Sequence, residues 1–83
     1  MNPQSPVLTL YTRRQCHLCE EAKEALRAEF PNLPIEEIDV DTDPALAARH
    51  GEEVPVAFLG EAKAFKYRLD AARLRRLLAQ AGG

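Results

Sequence analysis

The spacing of apolar and polar residues changes several times along the chain, and each change marks an element. Val7-Leu8-Thr9-Leu10-Tyr11 is a short apolar, β-favouring run between Pro6 and the polar Thr12-Arg13-Arg14-Gln15, which predicts a buried strand. From Cys16 the spacing becomes helical. Cys19, Ala22, Leu26 and Phe30 form one stripe, Glu20, Glu21, Lys23, Glu24 and Arg27 fall off it, and Pro31 ends the run. Ile35, Ile38 and Val40 alternate with Glu36, Glu37 and Asp39, the pattern of a strand with one wet face at a sheet edge. Strand, helix, strand implies a right-handed parallel crossover.

Asp43-Pro44 supplies an N-cap followed by proline at the first helical position, and Gly51 closes that helix after Ala45-Leu46-Ala47-Ala48-Arg49-His50. Val54-Pro55-Val56-Ala57-Phe58-Leu59 predicts the third strand and Gly60-Glu61 a tight turn. Ala62 to Leu69, with Phe65, Tyr67 and Leu69 alternating, predicts the fourth. Asp70 caps a last helix that places Leu74, Leu77, Leu78 and Ala81 on one face. The order is β-α-β-α-β-β-α. With no repeat and only short connections, residues 1–83 are expected to form one compact α/β domain.

Composition narrows the chemistry. At 83 residues with 46% hydrophobic residues and two cysteines, the core must come from apolar burial rather than from crosslinks. A Cys16–Cys19 bridge would close so short a loop that its stabilisation is only about 2 kcal/mol. The net charge of −2 and 6% aromatic residues give no electrostatic footprint for nucleic acid or an anionic membrane. Met1-Asn2-Pro3-Gln4-Ser5-Pro6 lacks the charged start and apolar run of a secretory signal, and no stretch approaches ~18 apolar residues. A soluble, cytoplasmic protein with a protein or small-molecule partner is expected.

The two cysteines lie at the junction between the first strand and the first helix. That setting puts the Cys16 sulfur near unpaired backbone N–H groups and the positive end of the helix dipole, which favours thiolate. Arg13, Arg14 and a protonated His17 are candidates to lower its pKa further; Glu20 and Glu21 oppose them. One helical turn separates the two Cα atoms by roughly 5 Å, a distance that suits a disulfide. Cys19 belongs to the buried stripe and Cys16 to the open end, so an exposed nucleophile and a sheltered resolver are expected. Three readings stay open at this point. C-x-x-C in a β-α-β unit is a redox context. A zinc or iron–sulfur site has only His17 and His50 to add, so it would close between two subunits. The third is a redox-inert docking module, with Leu18 and Val54 as its patch. His17, His50, Arg13 and Arg14 equally suit a plain solvated surface. Pro55 is compatible with the first position of a strand, or with a cis peptide that presents turned backbone beside a cysteine.

Cys16-His17-Leu18-Cys19 after a strand, Val54-Pro55 opening a hairpin, and Leu69-Asp70 before the Leu74/Leu77/Leu78 helix together resemble the thioredoxin fold in its short, glutaredoxin-like form. The Cys-His-Leu-Cys-Glu run with Val-Pro-Val resembles, more narrowly, a group of small bacterial glutaredoxin-like proteins, over about residues 7 to 80. The resemblance implies a mixed four-stranded sheet with helices on both faces, and a thiol-disulfide oxidoreductase that uses no cofactor. It implies Cys16 as attacking thiol, Cys19 as resolving thiol, Pro55 as the cis-proline facing them, and substrate backbone pairing beside Val54. The expected partners of this monomer are a disulfide-containing protein or a glutathione mixed disulfide, together with a reductant. A typical glutaredoxin has Pro-Tyr between its cysteines and a Gly-Gly pair before the last helix. Here those places read His17-Leu18 and Phe65-Lys66-Tyr67-Arg68-Leu69-Asp70. No tryptophan precedes Cys16, as one would in thioredoxin. The terminal Gly82-Gly83 is expected to fray rather than act as a sulfur-carrier tail, because the element order is wrong for that fold.

Overall fold

The computed structural model describes residues 6–82. Strand β1 (Leu8–Thr12) leads into helix α1 (His17–Glu29), followed by β2 (Ile35–Asp39), a 3-10 turn (Val40–Thr42) and helix α2 (Pro44–His50). The hairpin β3 (Val56–Leu59) and β4 (Ala62–Lys66) precedes helix α3 (Ala71–Gly82). The sheet order is β2-β1-β3-β4, with β1 parallel to β2 and antiparallel to β3, and β3 antiparallel to β4. The α/β element order and the mixed four-stranded sheet are those expected. The expectations for Met1 to Ser5 and for Gly83 lie outside the described residues; α3 itself runs through Gly82.

Alternation along β1 divides the molecule into two faces. Leu8, Leu10 and Thr12 are buried on one side, where Leu8 and Leu10 pack with Ala22 and Leu26 of α1 and Leu74 of α3. Each fully buried leucine contributes roughly 1.5–3 kcal/mol relative to exposure. The other face is covered by α2. There Tyr11 stacks on His50 with ring centroids 4.2 Å apart, and Phe58 meets Tyr11 edge-on. Helix α2 contributes no fully buried residue of its own; it is fixed at its start by the Asp43 carboxylate, which accepts the Ala45 N–H. The sheet edges are β2, with Glu36 and Glu37 exposed, and β4, with Lys63 and Lys66 exposed. Among the described residues no helix is long and apolar enough to cross a membrane.

Three strand boundaries differ from the sequence pattern, the first being the end of the second strand at Asp39, after which Val40 opens the 3-10 turn. The third strand begins at Val56, so Val54 and Pro55 lie in the bend that precedes it. The fourth ends at Lys66 because Tyr67 turns into the left-handed region (φ 69°), which breaks the apparent alternation of Phe65, Tyr67 and Leu69. Tyr67 is accordingly exposed. A bulge opposite Ala57 and Phe58 inserts Ala64 as an unpaired residue of β4, and both Ala64 and Phe65 are buried. Ala81, expected on the buried face of α3, is exposed.

Candidate active site

The sulfur side of the site grows out of the C-terminal end of β1. Thr12 is buried there, and its hydroxyl donates to the Glu37 carboxylate at 3.0 Å, tying β1 to β2 at the point where the chain leaves the sheet. The turn Arg13 to Gln15, with Gln15 at φ 55°, then delivers Cys16 to the N-cap of α1. The Cys16 carbonyl accepts the Glu20 N–H at 3.1 Å, and its sulfur accepts the Cys19 N–H at the same distance. A sulfur thus takes the capping role usually filled by a side-chain oxygen, at the positive end of the helix dipole. Cys19 is fully buried on the α1 stripe while Cys16 is half-buried. The two are joined by a disulfide across a Cα separation of 5.1 Å.

The facing side is the loop from Gly51 to Pro55. Val56 pairs with Tyr11, so Val54 and Pro55 fall beside the end of β1 from which the cysteine turn departs. The Val54–Pro55 peptide is cis, Pro55 is buried and Val54 is half-buried. Polar contacts hold this loop from three directions. Arg13 donates through Nη1 to the Gly51 carbonyl at 3.1 Å. Glu53 pairs with Lys63 at 3.0 Å and with Lys66 at 3.7 Å. Tyr67 donates its backbone N–H to the Pro55 carbonyl at 2.6 Å and its hydroxyl to the Glu52 carbonyl at 3.2 Å. The hydrogen bond from Lys63, then its charge, holds the Glu53 carboxyl below its ordinary pKa.

The three cationic residues proposed from sequence take different positions. Arg13 is a brace. Its Nε and Nη2 grip both oxygens of Asp41 at 2.9 and 3.1 Å while Nη1 reaches Gly51, and the hydrogen bond to Asp41, then its charge, raises the guanidinium pKa. Gly51 makes room for this: a Cβ there would sit 2.9 Å from Arg13 Nη2 and 2.5 Å from the Ala47 carbonyl oxygen. Arg14 and His17 are 90% and 93% exposed, each 3.9 Å from a carboxylate oxygen, of Asp39 and of Glu21 respectively. The sequence pattern therefore brought Cys16, Cys19, Val54 and Pro55 to one end of the sheet. It did not reveal Asp41, Gly51, Glu53 or Tyr67 as parts of the surrounding frame. Among the described residues, no three His, Cys, Asp or Glu side chains gather to hold a metal ion.

A helix-capping cysteine bonded to a buried cysteine one turn on, beside a cis-proline and on a β2-β1-β3-β4 mixed sheet, defines a C-x-x-C redox site on a thioredoxin-like fold. The chain belongs to the glutaredoxin-like family: the model for the Glutaredoxin-like domain (DUF836) matches residues 7–79. It is 33% identical over 81 residues, covering 88% of this chain and 75% of the other, to a protein of Dictyostelium discoideum described as a glutaredoxin-like protein, YDR286C homolog. The X-ray structure of structural-genomics target XcR50 from X. campestris superposes with a TM-score of 0.71 at 38% identity, over 88% of this chain and 96% of that one. A glutaredoxin from Brucella melitensis superposes with a TM-score of 0.60 at 27% identity, over 95% and 86% of the two chains. Family and disulfide together give the site a redox role.

Proposed function

We propose that the protein is a thiol-disulfide oxidoreductase in which Cys16 attacks and Cys19 resolves. In the reduced protein the Cys16 thiolate attacks one sulfur of a substrate disulfide, forming a mixed disulfide and releasing the first substrate thiolate. The Cys19 thiolate then attacks Cys16 Sγ, breaks the mixed disulfide and releases the second. Two electrons pass from the protein dithiol to the substrate, and the two thiol protons end on the released thiolates. A dithiol reductant returns the Cys16–Cys19 disulfide to its starting state, a cycle suited to a reducing compartment such as the cytoplasm. The substrate is a disulfide carried by a protein or a glutathione mixed disulfide, seated against Val54 and Pro55. Arg14, and His17 when protonated, supply positive charge beside the attacking sulfur, while Arg13, whose charge is matched by Asp41, acts by bracing the Gly51 end of the facing loop.

The observation that carries this reading is the asymmetry of the two sulfurs: Cys16 half-exposed at the helix N-terminus, Cys19 fully buried. Alkylation of the reduced protein by iodoacetamide, followed across pH by peptide mass spectrometry, tests it. Cys16 is expected to react first, with a midpoint below the ~8.5 of a free thiol, and Cys19 at least tenfold more slowly. Equal reactivity of the two, or a Cys16 midpoint at the free-thiol value, overturns the assignment.

A further inference from the structure

Among the described residues that hold the 51–55 loop, Tyr67 alone grips it at two places. Its amide reaches the carbonyl of Pro55 and its hydroxyl the carbonyl of Glu52, so one side chain and its own backbone bracket Val54 from both sides. It does so from the left-handed region, φ 69°, a conformation that residues other than glycine rarely adopt. A glycine would suit that backbone but would have no hydroxyl to reach Glu52. The ring is further linked to the loop through Lys66, whose ammonium lies 5.4 Å from the ring centroid while also pairing with Glu53. Tyr67 also lines a groove of about 410 Å³ together with Ala22, Ala25 and Leu69. Tyr67 is therefore neither a core residue nor a free surface aromatic. Its polar atoms are directed at the segment that faces the sulfurs.

We infer that Tyr67 is a positioning residue of the exchange site: by clasping Glu52 and Pro55 it holds the Val54 backbone in the orientation that a polypeptide substrate pairs with. The site is thereby selective for disulfides carried on a peptide over small disulfides that react through sulfur alone. This inference rests on the exchange reading above. A peptide that must align its backbone with Val54 benefits from a lip fixed in advance, because the ordering cost is met before binding. A small disulfide without a backbone has nothing to align.

The test compares the reduced full-length protein with its Tyr67→Phe and Tyr67→Gly variants on two substrates, with dithiothreitol as the resetting dithiol. One substrate is an unstructured peptide pair joined by a single disulfide; the other is bis(2-hydroxyethyl) disulfide. Tyr67→Phe keeps the ring and backbone and removes only the hydroxyl. It is expected to raise KM for the peptide about fivefold, the value of one net hydrogen bond, with kcat nearly constant. Tyr67→Gly, which also loses the ring, is expected to raise it about tenfold or more. In each variant the peptide-to-small-disulfide ratio of kcat/KM falls by the factor by which that variant's peptide KM rises. A parallel fall for the two substrates, or no change in the Gly variant, overturns the inference while leaving the exchange chemistry intact. Failure of the wild-type protein to reduce either substrate overturns the exchange reading itself, and the positioning role with it.

Discussion

Helix α1, capped by Cys16 and carrying the buried Cys19, packs Ala22 and Leu26 against Leu8, Leu10 and Leu74, whereas the Gly51–Pro55 loop across the site is tethered by polar atoms of Arg13, Lys63, Lys66 and Tyr67. Burial is non-directional and shared among many contacts, so the sulfur side inherits its position from the whole core. Polar tethers are directional, and each acts at one atom, so the stretch from Glu52 to Val54 is adjustable atom by atom while Pro55 stays buried. A nucleophile that must keep one geometry suits the first arrangement. A lip that meets substrate suits the second.

The comparison breaks first at the core. Leu26→Ala, at a fully buried position, is expected to cost ~2–5 kcal/mol in urea unfolding while the remaining folded protein keeps the reactivity order of the two cysteines. A loss below about 1 kcal/mol would mean that burial is not what seats α1. Gly51→Ala comes next. The added Cβ meets the Ala47 carbonyl and Arg13 Nη2, and a cost of about 1–3 kcal/mol is expected. Because that methyl displaces the guanidinium, Arg13→Ala should add little in the Gly51→Ala background, and a double-mutant cycle reads this directly. Full additivity would show that Arg13 and Gly51 do not form one tether.

The smallest effect is a titration. The folded-state pKa of Glu53 is depressed, so its pairing with Lys63 and Lys66 is present at neutral pH. That pairing is lost as pH falls below the usual ~4.3 of a glutamate and through the lowered folded value. In an NMR titration of the Glu53 side-chain carbonyl carbon, Lys63→Met is expected to move the midpoint upward, and Lys66→Met to move it less, because Lys63 is the larger cause. A greater shift in the Lys66 variant would reverse the order of the two tethers.

This division also decides what could be seen in the amino-acid pattern. Elements set by periodicity were legible: Leu8 and Leu10 in β1, the Cys19-Ala22-Leu26 stripe, the Asp43-Pro44 start of α2 and the Asp70 cap, whose carboxylate accepts the Arg73 N–H. The unequal burial of the two cysteines followed from the same stripe. Long-range polar tethers were not legible. Arg13 finds Asp41 across 28 residues and Tyr67 finds Glu52 across 15, and no local propensity encodes such meetings. Arg13 was visible as a charge beside Cys16, but its partners Asp41 and Gly51 were not. The spacing of Tyr67 from Phe65 is that of two residues on one face of a strand. The left-handed turn that ends β4 leaves no mark on that spacing.

The charges on the two outer strands have a consequence for behaviour in crowded solution. An exposed strand edge offers unpaired N–H and C=O groups to any passing chain, and charged side chains along it discourage that pairing. β2 presents Glu36 and Glu37, and β4 presents Lys63 and Lys66, so a strand adding to either edge would have to strip water from charged side chains. In a small domain whose sheet has only four strands, this lets the edges remain open without becoming templates for aggregation.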